Sequence, residues 1–217
     1  MAEVDPIIEN SKDSTTAVEH VLTLMDTEDE IFCLKFDPTD KYIACGCGDG
    51  AVRVFNIHTG KMAFMLANPK KYDDFLFPIT CLRWRPTSSE MKTKNILVAC
   101  SADGVVYHWH VTSGKLLHTM EPEVKNQYFC LDYAPDGSKF ALGGKDCKIS
   151  IIDEHTKSFV DTLEGGMGVP GHSNRIFSVK YHPEDPNLLI SGGWDNTVLL
   201  WDLRLSKVVG RVYGPHM

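Results

Sequence analysis

Four segments of the chain repeat one order of apolar and polar positions. Each opens on a short, mainly apolar run, at Glu30–Phe36, Pro78–Trp84, Gln127–Tyr133 and Arg175–Tyr181, with proline two residues later at Pro38, Pro86, Pro135 and Pro183. A second apolar run follows, at Tyr42–Gly46, Ile96–Cys100, Phe140–Gly144 and Leu188–Gly192. Each then reaches an aspartate in a turn: Asp49, Asp103, Asp146 and Asp195. Aspartate and glycine suit tight turns because they tolerate unusual backbone angles. A third run ends on a bulky residue six positions after that aspartate, at Phe55, Trp109, Ile152 and Trp201. Fourth runs close the units at Lys61–Leu66, Lys115–Met120, Ser158–Leu163 and Lys207–Tyr213. The six-residue interval is constant while the overall period varies, so the variation belongs to loops, notably Thr87–Asn95 and Gly165–Gly171. Short runs of this length predict strands, and no stretch sustains a helical 3.6-residue period. The pattern therefore predicts an all-β chain of four four-stranded units, at about 40–45 residues per repeat.

The last repeat resembles a WD repeat. It opens on Gly171-His172 and closes on Trp201-Asp202, with 29 residues from histidine to tryptophan. The other repeats carry Phe55-Asn56, Trp109-His110 and Ile152-Asp153 at the closing pair and lack the Gly-His pair. The resemblance covers roughly residues 18–213. It implies a WD-repeat β-propeller with blades at about 30–66, 78–120, 127–163 and 172–213. It also implies a buried hydrogen-bonded tetrad of His172, Ser191, Asp195 and Trp201. WD rings usually have about seven blades, so four imply an incomplete, open propeller. On this reading the chain is a fragment or short form of a longer propeller, or an arc completed by a second chain. The segment at about 20–25 is expected to be a latch strand, and residues 1–17, acidic and polar, a disordered tail.

The resemblance places partner contacts on one rim: at the start of each first strand, two residues later, and just before the turn aspartate. These positions are Glu30, Phe32 and Gly48; Pro78, Thr80 and Ala102; Gln127, Phe129 and Lys145; Arg175, Phe177 and Trp194. Aromatic residues and arginine are the types enriched at binding hot spots. The candidate rim is accordingly Glu30, Phe32, Phe129, Lys145, Arg175, Phe177 and Trp194, with Trp194 foremost because a turn position is hard to bury. The run from Leu189 to Arg204 also resembles the box by which some WD proteins dock on the adaptor of cullin-RING ubiquitin ligases, with Asp202 and Arg204 as its docking residues.

Composition narrows the function. The net charge of −7 argues against general attraction to phosphate, which weakens a chromatin or nucleic-acid reading. No run is apolar for the roughly 18 residues a membrane span needs, and the acidic start lacks the order of a secretory signal. A cytoplasmic or nuclear home follows. The seven cysteines are an odd number without metal-ligand spacing, and three share one column (Cys33, Cys81, Cys130, with Ser178 fourth), so they read as buried apolar residues. No paired acids, metal cluster or phosphate loop recurs, and no glycine-framed elbow surrounds a serine. The expected function is a non-catalytic scaffold that binds proteins or peptides, with no cofactor, no metal and no membrane; a ligase substrate receptor is the alternative.

Overall fold

The computed structural model describes residues 19–24, 29–67, 77–87, 93–121, 125–165 and 168–213. The proposed tail and Met25 lie outside them. Among the described residues sixteen strands form four antiparallel sheets of four. Blade 1 holds β1 (Ile31–Phe36), β2 (Tyr42–Cys47), β3 (Val52–Asn56) and β4 (Met62–Leu66). Blade 2 holds β5 (Ile79–Trp84), β6 (Ile96–Ser101), β7 (Val106–His110) and β8 (Lys115–Met120). Blade 3 holds β9 (Tyr128–Tyr133), β10 (Lys139–Gly144), β11 (Ile149–Asp153) and β12 (Phe159–Leu163). Blade 4 holds β13 (Ile176–Tyr181), β14 (Leu188–Gly193), β15 (Thr197–Asp202) and β16 (Lys207–Tyr213). Each sheet runs in chain order from an inner to an outer strand.

The turn aspartates set the β2–β3 hairpin and its three counterparts. In every blade the carboxylate Oδ1 accepts the backbone N–H two residues on: Ala51 at 3.0 Å, Val105 at 3.1 Å, Lys148 at 3.2 Å and Thr197 at 3.2 Å. The residue between them takes a left-handed backbone, at Gly50 (φ 75°), Gly104 (φ 87°), Cys147 (φ 64°) and Asn196 (φ 59°). Glycine adopts this region freely and asparagine tolerates it, whereas cysteine is strained there.

The inner strands pack in sequence, β1 on β5, β5 on β9 and β9 on β13. At each seam the following blade presents alternate inner-strand residues to the face of the blade before. Ile79, Leu82 and Trp84 bury against Ala44, Val52, Val54 and Leu66. Tyr128, Leu131 and Tyr133 bury against Val98, Cys100, Val106 and Met120. Ile176, Val179 and Tyr181 bury against Ala141, Ile149, Ile151 and Leu163. The core is thus three seams in a row, and the four described blades form an open arc. The cysteine column runs through all three. Cys33, Cys81 and Cys130 direct their thiols to the carbonyls of Ile79, Leu131 and Ile176 in the next blade, at 3.7, 3.7 and 3.8 Å.

The expected latch is corrected. Residues 19–24 carry no strand. The outer edge of blade 4 belongs to β16, which pairs with β15, so that blade leaves the segment no vacancy to fill. Leu24 instead packs on the free face of blade 1, beside Ile43, Cys45, Cys47 and Phe55, and Leu22 lies over Gly60.

Candidate functional site

The rim positions are assembled by one hydrogen bond repeated in each blade. The residue before the turn aspartate donates its backbone N–H to the carbonyl at the start of the first strand. The pairs are Gly48 to Glu30 (2.8 Å), Ala102 to Pro78 (3.0 Å), Lys145 to Gln127 (2.9 Å) and Trp194 to Arg175 (2.9 Å). This bond lies beyond the regular ladder and turns both side chains of a pair to the same end of the blade.

At the junction of blades 3 and 4 the rim forms a continuous stack. The Phe129 and Phe177 rings are 4.7 Å apart and nearly parallel, at 11°. Phe177 meets the Trp194 indole at 4.8 Å and 34°. The Arg175 guanidinium lies over the indole at 5.5 Å, a cation–π distance. Phe177 and Trp194 are 40% and 59% exposed, so this apolar ladder is a surface and not core. Lys145 is exposed, and Arg175 partly so. Glu30 and Phe32 stand apart on blade 1, both exposed. Blade 2 breaks the aromatic column: its residue is Thr80, whose hydroxyl donates to Tyr128 O at 2.7 Å.

Beneath the rim of blade 4, four side chains form one polar chain. The Trp201 indole N–H donates to Ser191 Oγ at 2.8 Å, and that hydroxyl lies 2.7 Å from His172 Nε2. His172 Nδ1 lies 2.9 Å from Asp195 Oδ2, which also accepts the Ser173 N–H at 2.9 Å. With the ring proton on Nδ1, every donor meets an acceptor, as burial demands. Burial alone would raise the Asp195 carboxyl; the hydrogen bonds from Ser173, Thr197 and His172 outweigh it and hold it below the usual carboxylate range. The order serine, histidine, aspartate is that of a hydrolase triad, but Ser191 is buried and its oxygen is already occupied by the indole. Blade 1 solves the same turn without histidine: Asp49 takes a two-pronged contact from Arg53, at 2.8 and 3.1 Å.

The Trp-Asp-x-Arg box lies at the opposite end of β15. The Arg204 guanidinium donates to Asp202 at 2.6 and 2.9 Å and is 59% exposed.

Sequence reasoning missed a second polar cluster, between blades 2 and 3. Glu154 is buried and holds Arg85 at 3.1 Å, Lys157 at 2.6 Å and the Tyr133 hydroxyl at 2.9 Å. His108 Nε2 lies 3.4 Å away, and both its ring nitrogens lack a well-formed hydrogen bond. Burial would raise the Glu154 carboxyl, but His108 and the Lys157 ammonium pull it down to about 2. Burial likewise lowers His108, because the imidazolium form loses its water. Arg85, His108, Glu154 and Lys157 line a cleft of about 630 Å³. Arg85 and Glu154 are 69 positions apart, which no local pattern connects. Among the described residues no cluster of histidine, cysteine or acids is spaced to hold a metal, and no helix is long and apolar enough to cross a membrane.

Comparison with known proteins agrees with this architecture. Residues 73–110 and 162–202 match the WD domain, G-beta repeat family, and residues 16–87 match the WD40 domain of anaphase-promoting complex subunit 4. The chain is 24% identical to the periodic tryptophan protein 2 homolog of Dictyostelium discoideum, over 77% of its own length and 16% of the relative's. It is 29% identical to a guanine nucleotide-binding protein subunit beta of Zea mays, over 56% of its own length and 30% of the relative's. In fold it superposes with a TM-score of 0.70 and 20% identity on a chain of a mitotic checkpoint complex crystal structure, covering 88% of this chain and 53% of that one. The chain therefore spans less than a third of these curated relatives. Repeats, blades and turn aspartates converge on one assignment: the chain belongs to the WD-repeat β-propeller family, as an open arc of four blades.

Proposed function

We propose that this chain is a non-catalytic scaffold that holds a partner protein or peptide on the rim stack Phe129–Phe177–Trp194, with Arg175 and Lys145 beside it. The observation that carries the reading is the stack itself. Three aromatic rings side by side at an exposed rim, with a guanidinium on the last, leave apolar area in water that burial under a partner would remove. The fold match to one chain of a multi-protein assembly is in keeping with that role. A scaffold in the cytoplasm or nucleus is the setting we favour. The non-catalytic part rests on Ser191, whose oxygen is buried under the Trp201 indole where a substrate carbonyl has no room.

The test compares wild type with Trp194→Ala in affinity purification followed by mass spectrometry. Proteins retained by wild type should be lost with the variant while its melting temperature stays unchanged. Equal retention would retire the rim. A serine-directed fluorophosphonate should leave Ser191 unmodified in the folded chain, and labelling would reopen the hydrolase reading.

The ligase-adaptor reading is second. In its favour, the Arg204 side chain is more than half exposed. Against it, Asp202 already engages both prongs of the guanidinium, so a partner would have to share or replace that carboxylate.

A further inference from the structure

Away from the rim, the seam between blades 2 and 3 is polar where the matching places in the other blades are apolar. Five positions after the turn aspartate stand Val54, His108, Ile151 and Leu200, and eight positions after it Ile57, Val111, Glu154 and Leu203. Val54, Val111 and Ile151 are buried in the core, and Ile57 and Leu203 pack against it. Packing is therefore served by an apolar side chain at both places, and this seam holds an imidazole and a carboxylate instead. Eleven positions after the aspartate the backbone is left-handed in every blade, at Gly60 (φ 69°), Gly114 (φ 63°), Lys157 (φ 58°) and Ser206 (φ 48°). Blades 1 and 2 use glycine there, whereas lysine is strained. The three departures meet at one place: Lys157 reaches Glu154, and Glu154 lies beside His108. The blade fold does not call for them, since the other blades form without them.

The cluster has hydrogen-bonding capacity left over. Arg85 Nη1 and the Lys157 ammonium converge on one oxygen, Glu154 Oε1, while Tyr133 and His108 approach the other, Oε2. That carboxylate is fully occupied. Arg85 Nη2 is taken by the carbonyl and hydroxyl of Thr93. Among the described residues the remaining N–H groups of Lys157 and Arg85 meet no further acceptor. His108 is 1% exposed, and neither ring nitrogen has a well-formed hydrogen bond. With its proton on Nε2, towards Glu154, Nδ1 is an acceptor without a donor. Asp153, the other acid at the cleft, is engaged by its own turn, its Oδ1 taking the N–H groups of His155 and Thr156. The cleft thus offers cationic donors and one neutral acceptor, with Ile96 and Leu117 as apolar walls. Its 630 Å³ is the size of a small-ligand site.

We infer that this cleft binds a phosphate monoester, with Lys157 and Arg85 donating to its oxygens, His108 Nδ1 accepting its remaining O–H, and its organic stem along Ile96 and Leu117. The ligand class follows from the spare groups. Donors that carry positive charge favour an anionic acceptor. A carboxylate at neutral pH has no hydrogen to give Nδ1, whereas a phosphate monoester, whose second pKa is about 6, still carries one on part of its population. The overall charge of −7 bears on general attraction and not on a site that holds one head group. The ester is either a small molecule or a phosphorylated side chain of a partner, and both present the same group. Glu154 follows β11, at the end of the blade opposite the Asp146 turn and the rim, so this inference and the rim proposal fail separately.

Calorimetric titration in phosphate-free buffer at about pH 6.5 tests it with phenyl phosphate, a phosphoserine peptide and benzoate. Wild type should bind both phosphates and hold benzoate at least about tenfold more weakly. A phosphopeptide bound no more tightly than phenyl phosphate assigns the site to a small molecule, and one bound more tightly assigns it to a partner's side chain. His108→Val and Lys157→Gly give the seam the residues that blade 1 carries, so both should fold with unchanged near-UV circular dichroism. Each should lose at least about tenfold in affinity for the phosphates. Without any variant, bound phosphate should shift the His108 ring nitrogens in a proton–nitrogen correlation spectrum of the histidines. Failure of both phosphates to bind overturns the inference, as do unmoved His108 nitrogens or an affinity that survives either substitution. Benzoate bound as tightly as phenyl phosphate overturns the assignment to phosphate.

Discussion

Ser191 takes the Trp201 indole N–H at 2.8 Å while its own hydroxyl lies 2.7 Å from His172 Nε2, so one oxygen joins the closing strand of blade 4 to its opening loop. Trp201→Phe removes the indole donor and part of a fully buried ring, so the loss of Ser191's partner, about 1–2 kcal/mol, comes with a cavity cost of its own. Ser191→Ala strands two groups, the indole N–H and the imidazole Nε2, with little change in volume, and should cost about 2–3 kcal/mol. Urea unfolding followed by circular dichroism gives both numbers. A Ser191→Ala loss below about 1 kcal/mol would mean that the two buried groups do not depend on the hydroxyl.

Acid should weaken the arc through the Glu154 cluster. The Glu154 carboxyl titrates near 2 in the fold and near 4.5 in the unfolded chain, so the unfolded chain takes up the proton first. The stability it contributes is intact above pH 4.5 and is lost as the pH falls towards 2. The full loss is on the order of 3 kcal/mol, from about 1.4 kcal/mol per pKa unit. His108 is held below its ordinary 6.5 by burial, so it adds a loss of the same sign that begins at that pH. Glu154→Gln should flatten the slope below pH 4.5, keep the shallower one above it, and destabilise at neutral pH, because Arg85 and Lys157 lose their counter-charge. Unfolding midpoints across pH 3 to 7 decide the matter.

Cys147→Gly should stabilise. Cysteine there holds a φ of 64°, and the equivalent residues of blades 1 and 2 are already glycine. Left-handed backbone costs an ordinary residue roughly 1–2 kcal/mol, and the added freedom of glycine in the unfolded chain returns part of that, leaving a gain of about 0.5–1 kcal/mol. Thermal unfolding checks the direction. A fall in midpoint would show that the Cys147 side chain contributes contacts worth more than the strain.

Arg204→Ala separates the two binding readings. Its charge is paired on the surface with Asp202, so its removal should leave the melting temperature where it is. Adaptor co-purification, if the box docks, should vanish, and rim-dependent partners should be retained. Loss of both classes together would point to a folding defect.

The repeat was legible because its signals are local. An aspartate that caps its own turn two residues on, and a bulky residue six positions later, need no distant partner, and all four turns carry the same N–H to carboxylate bond. The column of Phe32, Phe129 and Phe177 was also readable, but not which members meet. Thr80 interrupts it with a hydroxyl tied to the Tyr128 carbonyl, so Phe32 stands apart while Phe129 and Phe177 stack. The Glu154 cluster was invisible because it joins a loop of blade 2 to a turn of blade 3, and only the curvature of the arc brings them together. His20–Leu24 is as apolar as a strand, yet contact of Leu22 and Leu24 with blade 1 is what holds it, not a ladder.

The thiols along the blade junctions give the molecule a built-in record of how it comes apart. Burial pushes Cys33 up to about 12 and raises Cys130 as well, so neither offers a thiolate to an alkylating reagent while its junction is closed. Blades joined only to their neighbours can detach one at a time. Timed alkylation and peptide mapping would therefore report the order of detachment, Cys33 marking the parting of the first two blades and Cys130 that of the last two.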